Sequence, residues 1–481
     1  MFGASMMNTA AGLASLIAGF GSSIIVARVL GVNGSGIVAY ALWIMTAATL
    51  VSDLGLPQAL LRFAAKGSDS ERIALLRALT RRFALSTGLL ATVMAGFAMW
   101  RYSTGSPATA WVWMATAGLF LCYAYSTLSL GVAQGLGHFR QTSVNTVAGC
   151  LIQPVSVAVG AVFLGPAGAI LGQMVRHLPQ ALGLRRYFAF EAAPADYSVP
   201  SAVNTYARNN WMSGGLAALL SSRVELAVIG AYLGVTEIGQ YAAGATMASM
   251  IVQLTFSLAA VLVPLFSSYQ DREDSAGLIC AYQRSLLGLS LLLAPICFGG
   301  AAIAPVLVPA MFGEAFRPAG EIGAVLVAFA FAQVLTTVPY RLMLARERTG
   351  VVLHLSVWEG VASMAALLVV TPLWGAMGAA FVKGVTSTVT AIIYLAYCRV
   401  ALDTPVRIWP LLKIVLSAAL CASAAWALLM WKNDLIGLTL SIPVGATTYI
   451  VALICLSAIP EEDRRLAKGW AAERLTFRKG Q

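Results

Sequence analysis

Apolar runs of helix length, separated by short polar breaks, fill the chain from its first residues to about residue 460. One helical crossing of a bilayer core needs about 20 apolar residues, and most of these runs have that length. Backbone amides and carbonyls find no water inside lipid, so the runs predict helices rather than open sheets. The pattern gives about fourteen predicted spans, at residues 7–30, 37–63, 83–100, 109–136, 144–164, 169–188, 209–232, 237–267, 283–308, 320–344, 351–371, 376–398, 411–431 and 438–459.

The composition leaves little of the chain for water. Of 481 residues, 59% are hydrophobic and 11% are charged, whereas a soluble domain carries about 25% charged residues. The longest polar breaks, residues 188–210 and the tail after Pro460, are too short for a separate catalytic domain. The sequence also lacks a Gly-Lys-Ser/Thr phosphate loop and an H-E-x-x-H motif. It therefore predicts no enzyme, no cofactor and no metal site.

Lysine and arginine are distributed unevenly between the two sets of alternating breaks. If the N-terminus lies inside, the outside breaks hold only Arg101, Arg317 and Lys432, and most of the remaining basic residues lie in inside breaks. Positive charge collects on the cytoplasmic side of membrane proteins. The pattern thus predicts an even number of spans with both termini cytoplasmic. The net charge of +11 then reflects topology and does not indicate a nucleic-acid partner.

Two glycine motifs occur twice, in the same order and at a nearly constant offset. A repeat unit of six spans keeps its orientation, so it predicts two bundles related by a pseudo-twofold axis along the membrane normal. The matched motifs are Leu30–Val32 with Gly36 against Leu233–Val235 with Gly239, and Gly165–Ala169 against Gly375–Ala379. The predicted organisation is an N-terminal six-helix bundle (1–190), a C-terminal six-helix bundle (203–400), two additional transmembrane helices (408–460) and a basic cytoplasmic tail (461–481).

Charged side chains inside the spans are the candidate site residues. A charge at the bilayer centre costs about 2.5–3.5 kcal/mol on insertion scales, so such a residue usually faces a partner or a wet cavity. The basic candidates are Arg28, Arg62, Arg176, Arg223 and Lys383, the acidic ones are Asp53, Glu225 and Glu359, and His177 and His354 lie beside them.

Several of these residues have two interpretations. Glu359 and Lys383 lie at similar depths on consecutive spans and form either a structural ion pair or part of a transport site. Asp53 precedes Gly55 and Pro57, and either binds a coupling ion or caps a broken helix. Arg28 and Arg62 lie near span ends, where a long side chain also reaches the lipid head groups. Arg223 and Glu225 lie about 200° apart around one helix, so only one of them faces a central cleft.

Several segments resemble the oligosaccharide flippases, which are Wzx-type members of the multidrug/oligosaccharidyl-lipid/polysaccharide exporter superfamily. The resemblance covers most of residues 1–400, and its motifs are structural rather than specific for a substrate. The segments that carry it are Ala27–Gly31 with Gly36, Asp53–Leu60, Arg223–Glu225, Leu233–Gly234, Gly239–Ala243 and Phe312–Ala319.

The resemblance implies movement of an undecaprenyl-diphosphate-linked oligosaccharide from the inner to the outer leaflet of a bacterial cytoplasmic membrane, for surface polysaccharide assembly. A cationic central cavity with alternating access would offset the diphosphate charge, and a proton or sodium ion would drive the cycle. Expected partners are the lipid-linked substrate, membrane lipids, and a polysaccharide polymerase or export machinery. Expected substrate-binding residues are Arg223, Arg176, Arg28, Lys383 and His177, and expected ion-coupling residues are Asp53, Glu225 and Glu359.

Three other functions compete with this interpretation. A cation-coupled multidrug exporter of the same superfamily would favour an acidic, aromatic pocket, whereas the charges within the spans are mostly basic here. A lipid II flippase has a similar plan, but its more specific first-span pattern is lacking. A membrane glycosyltransferase or polymerase would need a long outside loop bearing carboxylates and arginine, which the sequence does not contain.

Overall fold

A computed structural model describes residues 2–66, 68–188, 198–212, 224–432 and 434–458. The regular elements in these ranges are helical, as the uninterrupted apolar runs predict. They are α1 (Phe2–Ser52), α2 (Leu56–Phe63), α3 (Asp69–Ser103), α4 (Pro107–Gly135), α5 (Phe139–Gly183), α6 (Ser201–Asn210), α7 (Val224–Tyr232), α8 (Val235–Leu258), α9 (Leu262–Asp271), α10 (Ser275–Phe312), α11 (Arg317–Ala345), α12 (Thr349–Ala401), α13 (Ile408–Trp431) and α14 (Leu435–Cys455), with short 3₁₀ turns between some of them.

Three of the longest helices are each divided by one glycine. Gly31 in α1, Gly165 in α5 and Gly375 in α12 have φ values of 65°, 60° and 64°. Glycine reaches this left-handed region without the steric cost of a Cβ atom. Each glycine therefore separates two helical segments, at the boundaries that the hydropathy pattern predicts between consecutive spans.

The chain is a multi-pass, all-helical membrane protein. Ten helices in the described ranges are long and apolar enough to cross a bilayer, and the three glycine-divided helices are among them. The predicted seventh span, residues 209–232, runs through residues 213–223, which lie outside the described ranges. The total of fourteen spans and the pseudo-twofold repeat stay predictions.

The second predicted span, 37–63, differs from the structure in one respect. Helix α1 ends at Ser52, and a tight turn precedes α2. Leu54 and Gly55 have φ values of 50° and 71° in this turn. Pro57 has no backbone N–H to donate within a continuing helix, and it disfavours helical φ/ψ angles at the residue before it. It therefore favours the start of a new helix here. The apolar run continues through the turn, which is why hydropathy alone does not detect it.

The described residues form two compact units. The first contains the chain up to Ala243 together with Met311–Phe316 and Ser356–Ala379. Helix α5 packs along α1 and α4 in this unit. Its core includes the fully buried side chains of Phe83, Phe120 and Leu128.

The second unit contains Gly244–Ala310, Arg317–Leu355 and the chain from Ala380 onward. Helices α13 and α14 pack against each other and contribute Cys421 and Tyr449 to a core shared with α10 and α11. The Tyr449 hydroxyl donates a 2.7 Å hydrogen bond to the carbonyl oxygen of Leu291. The last two helices therefore belong to the packed core of this unit.

Candidate functional site

A group of polar side chains lies between the two halves of α5 that Gly165 separates. Gln153 precedes the Gly165 kink and Gln173 follows it, so the kink folds the two amides together. Gln153 Nε2 donates a 2.7 Å hydrogen bond to Gln173 Oε1, and Gln153 Oε1 accepts a 3.3 Å hydrogen bond from Arg176 Nη1. Gln153 is 1% exposed and Gln173 is 9% exposed. Each buried amide thereby has a hydrogen-bond partner. Gln153 also orients the Arg176 guanidinium.

Small residues allow this close approach of the two halves of α5. A Cβ atom on Gly149 would collide with the carbonyl oxygen of Arg176. A Cβ atom on Gly172 would likewise collide with the backbone of Ser156 and Val157. Glycine at these positions lets two helix backbones pack closely, as is common in membrane helices. The position of Arg176 thus depends on glycines in the facing segment.

Two further polar contacts surround this cluster. The His177 ring packs edge-on against the Tyr123 ring of α4, with 5.0 Å between centroids. Gln180 Nε2 donates a 3.2 Å hydrogen bond to Ser129 Oγ, also on α4. Arg176 and His177 are adjacent in sequence, and Arg176 contacts the first half of α5 whereas His177 contacts α4. These two predicted site residues thus lie among three amides and a tyrosine, and the structure, in the residues it describes, adds none of the other six to them.

Arg176 has no carboxylate partner in the described part of the chain. Its hydrogen bond goes to the neutral Gln153 amide, and the side chain is only half-buried. A guanidinium carries five N–H donors in a planar fork. Donors beyond the one used by Gln153 are consequently available to a phosphate or carboxylate group, and such charge-assisted bonds are about twice as strong as neutral ones.

Arg28 contacts a helix terminus. Its Nε donates a 2.8 Å hydrogen bond to the carbonyl oxygen of Met311, near the C-terminal end of α10. The last carbonyls of a helix have no partner within the helix, and a cationic side chain is favoured there. This contact supplies a structural role for Arg28 beside the predicted one, and its part in substrate binding stays a prediction.

Asp53 lies in the turn between α1 and α2. Its Oδ1 accepts a 2.9 Å hydrogen bond from the Gly55 amide, which is the Asx-turn geometry that aspartate favours, and the N-cap of α2 is Gly55, without a side-chain cap bond. A Cβ atom on Gly55 would collide with the carbonyl oxygen of Ala207 in α6. The Trp211 indole also donates a 2.9 Å hydrogen bond to the Leu50 carbonyl. Asp53 thus stabilises the turn before α2, and both helix capping and ion coupling stay predictions.

The remaining predicted site residues are not brought into one cluster by the described contacts. Glu225 is 2% exposed in the first turn of α7. Glu359 and Lys383 are half-buried in α12, but Glu359 belongs to the first unit and Lys383 to the second, so their pairing stays a prediction. Arg223, a first choice for substrate binding, lies outside the described residues.

A cavity of about 700 Å³ lies within the first unit and is almost entirely apolar. None of the predicted site residues lines it. Its walls come from the second half of α1, the beginning of α4 and the segment of α5 around Gly165, and they include Tyr40, Ile44, Trp111, Trp113, Leu164 and Leu171. This cavity is distinct from the predicted cationic one, which stays a prediction.

The two copies of the first repeated motif contact each other. A Cβ atom on Gly36 would collide with the carbonyl oxygen of Val235, and one on Gly239 would collide with the carbonyl oxygen of Val32. The second half of α1 and the beginning of α8 therefore cross at these two glycines in a reciprocal way. Each motif thus has two glycines with different roles. Gly36 and Gly239 lie at the crossing, and Gly31 and Gly234 have positive φ in the turns before it.

Charge alone misses most of the polar cluster in α5. Gln153, Gln173, Gln180 and Tyr123 carry no charge at neutral pH, so a search restricted to charged residues and histidines passes over them. A buried amide within a span needs a partner, and three glutamines on one kinked helix are a usable signal. Within the described ranges, no group of three or more His, Cys, Asp or Glu residues is arranged to hold a metal ion.

A family of sequences described as polysaccharide biosynthesis protein matches residues 25–321, which is more than half of the chain. No curated protein matches the chain by sequence.

Solved structures share the fold. An inward closed conformation of the lipid II flippase MurJ has a TM-score of 0.76 and 12% identity, covering 94% of this chain and 98% of that one. An inward-facing multidrug resistance transporter of the MATE family has a TM-score of 0.63 and 12% identity, covering 81% and 94%. A further transporter of the MOP superfamily, from Pyrococcus furiosus, has a TM-score of 0.59 and 12% identity, covering 83% and 95%.

Proposed function

We propose, from the premise that the chain belongs to the polysaccharide biosynthesis protein family, that it flips a lipid-linked oligosaccharide across the bacterial cytoplasmic membrane. The cargo is an undecaprenyl-diphosphate-linked sugar unit, carried from the cytoplasmic to the outer leaflet by alternating access. The family match carries this proposal. The shared fold with transporters supports a moving helical carrier, and the apolar helices place it in a bilayer.

The head group sets the physical problem that the protein has to solve. A diphosphate is highly charged, and moving a bare charge into hydrocarbon is prohibitively costly. A site therefore has to replace water by donors with positive charge. Arg176 supports this role because it lies within a span, is held in place by Gln153 and pairs with no described carboxylate.

Arg176 and His177 are proposed to bind the diphosphate together with Arg223, Arg28 and Lys383. A guanidinium matches the geometry of phosphate oxygens through two parallel N–H···O bonds. Gln153, which is paired with Gln173, orients the Arg176 guanidinium before the substrate binds. Less side-chain entropy is therefore lost on binding. The lipid tail stays in the bilayer and does not need a polar path.

Ion coupling is proposed for Asp53, Glu225 and Glu359, with a proton or a sodium ion as the coupling ion. A carboxylate that binds a cation in one conformation and releases it in the other biases the carrier in the direction of the gradient. Glu225 supports this role through its position, because it is buried within a predicted span, where ionisable residues commonly belong to ion pathways.

The decisive experiment is flipping in proteoliposomes that contain the purified full-length chain. A fluorescent undecaprenyl-diphosphate oligosaccharide in the inner leaflet should reach the outer leaflet, where a quencher or a lectin detects it. In cells, loss of the protein should leave lipid-linked sugar units on the cytoplasmic face. A chain that flips no diphosphate-linked lipid overturns the proposal.

The same assay distinguishes the competing functions. Flipping of lipid II with no flipping of the oligosaccharide lipid would identify a lipid II flippase. Gradient-driven movement of organic cations with neither lipid moved would identify a multidrug exporter. A partner polymerase or export machinery is expected to receive the flipped unit, because the outer leaflet is where the sugar units would be joined.

A further inference from the structure

A basic surface lies where α2, α3 and α6 meet in the first unit. It consists of Arg62 and Lys66 around the end of α2, Arg81 and Arg82 in α3, and Arg208 in α6, and all five side chains are exposed. We call these five residues the basic patch. The uneven distribution of Lys and Arg places it on the side predicted to face the cytoplasm.

The cations of the patch are held by aromatic rings and an amide. The Arg62 guanidinium lies 4.5 Å from the centre of the Tyr206 ring, and the Lys66 ammonium lies 5.0 Å from the centre of the Phe63 ring. The Phe63 and Tyr206 rings pack edge-to-face at 5.6 Å. Cation–π contacts hold a cation without neutralising its charge. Both cations thus keep their full charge in a fixed place.

Arg82 ties α6 to this arrangement. Its Nη1 donates a 2.6 Å hydrogen bond to Asn204 Oδ1 in α6, and Arg208 lies one helical turn beyond Asn204 on the same face. Glu71, a nearby carboxylate at the start of α3, accepts a hydrogen bond from the Ser68 amide and takes part in the capping box of this helix. No described carboxylate forms an ion pair with any of the five basic residues.

A lipid-facing stripe begins directly beside the patch. Leu85, Leu89 and Val93 follow Arg81 at intervals of four residues, so they share one face of α3 with it. They are 67%, 71% and 60% exposed. Leu85 begins one turn, about 6 Å, from Arg81. On a helix that is long and apolar enough to cross a bilayer, an exposed apolar stripe of this kind fits contact with hydrocarbon chains.

We infer that the basic patch binds the head group of an anionic phospholipid of the cytoplasmic leaflet, with an acyl chain along the α3 stripe. Cations that pair with no described carboxylate, next to an exposed apolar stripe, match a molecule that carries phosphate at one end and hydrocarbon at the other. A soluble phosphate would use only the cations. The inference concerns a bilayer lipid and does not depend on which substrate the protein carries.

The test is binding of phosphatidylglycerol to the purified full-length chain, measured by native mass spectrometry against phosphatidylcholine. The variant Arg62→Gln, Lys66→Gln, Arg81→Gln keeps Arg82 and its bond to α6. The control Arg101→Gln, Arg317→Gln, Lys432→Gln removes the same charge from the predicted outside breaks. We expect the patch variant to bind phosphatidylglycerol at least about tenfold more weakly, and the control to bind as the unchanged chain does.

A second pair of variants tests the lipid tail. Leu85→Ala with Leu89→Ala should weaken phosphatidylglycerol binding by several-fold, whereas Leu151→Ala, at an exposed position on α5, should not. Equal binding of phosphatidylcholine, equal loss in both charge variants, or competition by inorganic phosphate alone would each overturn the inference. If the triple variant fails size-exclusion chromatography, Lys66→Gln alone is used, and unchanged phosphatidylglycerol affinity then also contradicts it.

Discussion

At the scale of single residues, Arg176 is the side chain that the structure makes most informative. A charged group in a span normally acquires an opposite charge or water, yet its described partner is the Gln153 amide. The neutral partner orients the guanidinium without offsetting its charge. This arrangement suits an arginine whose remaining N–H donors bind an anion.

Arg176→Gln should slow flipping of the lipid-linked oligosaccharide by about ten- to a hundredfold, because hydrogen bonds from a charged group contribute about 1.5–3 kcal/mol. Arg176→Lys should keep part of the rate, since lysine retains the positive charge but not the planar set of N–H donors. The rates come from the proteoliposome assay. Arg185→Gln, at an exposed position in the 3₁₀ turn after α5, is the control, and a normal rate in Arg176→Gln would remove this residue from the site.

Gln153→Leu removes both hydrogen bonds that connect Gln173 to Arg176. A buried amide that loses its partner costs about 1–3 kcal/mol, so the thermal stability of the detergent-purified protein should fall. Flipping should slow as well, because the guanidinium is no longer fixed. Gln153→Glu would retain an acceptor for Arg176 but neutralise its charge, so we expect it to fold normally and flip poorly. Normal flipping by Gln153→Glu would argue against a role for the positive charge.

At the scale of elements, single glycines decide where helices bend and how closely they cross. Gly31, Gly165 and Gly375 divide their helices through positive φ. Gly36 and Gly239 instead have no Cβ atom to collide with the facing backbone. Glycine therefore allows a change of helix direction at the first three positions and close helix packing at the other two.

Gly36→Ala and Gly239→Ala should each destabilise the crossing of α1 and α8 by about 1–3 kcal/mol, the usual cost of overpacking. Thermal unfolding followed by intrinsic fluorescence would measure this. Gly96→Ala, on α3 with open space around the added methyl group, should be neutral or slightly stabilising because alanine favours helix. Equal unfolding temperatures for all three variants would show that the crossing tolerates a side chain.

The turn at Asp53 allows its two interpretations to be separated. Asp53→Asn keeps an Oδ1 acceptor for the Gly55 amide, whereas Asp53→Ala loses it and should cost about 0.5–1.5 kcal/mol of stability, the usual net value of one hydrogen bond. If Asp53 also couples an ion, as proposed, Asp53→Asn should unfold normally but lose the dependence of flipping on a proton or sodium gradient. Full gradient dependence in Asp53→Asn would leave stabilisation of the turn before α2 as its role.

At the scale of the whole molecule, the distribution of Lys and Arg predicts which turns face the cytoplasm. The turn between α3 and α4 at Gly105 is predicted to lie outside, and the turn between α4 and α5 at Gly137 inside. Helix α4 is apolar and long enough to span the bilayer between them. The two turns should therefore differ completely in accessibility.

Thr104→Cys should react with a membrane-impermeant maleimide in intact spheroplasts, and His138→Cys only after permeabilisation. Both are made in a background with Cys455→Ser, because Cys455 is exposed. The extent of labelling is read from a gel shift. Labelling in the opposite order would invert the topology and place the basic patch on the outer surface.

The sequence by itself determined the class of the molecule. Hydropathy records the solvent that each segment prefers, so an all-helical membrane protein follows from the apolar runs, and the glycine motifs mark the bends at Gly31, Gly165 and Gly375. The candidate charges also follow, since an ionisable residue in a span is conspicuous without coordinates.

Only the tertiary structure decided what those charges contact. Arg28 reaches Met311, far away in the chain, and Gln153 reaches Gln173 only because the two halves of α5 fold back on each other. Gly55 and Pro57 mark a break after Ser52 in the sequence, but the packing of Gly55 against Ala207 is seen only in the structure. A residue's preference for lipid or water is local, whereas its partner is set by the packing of whole helices, which a single sequence does not specify.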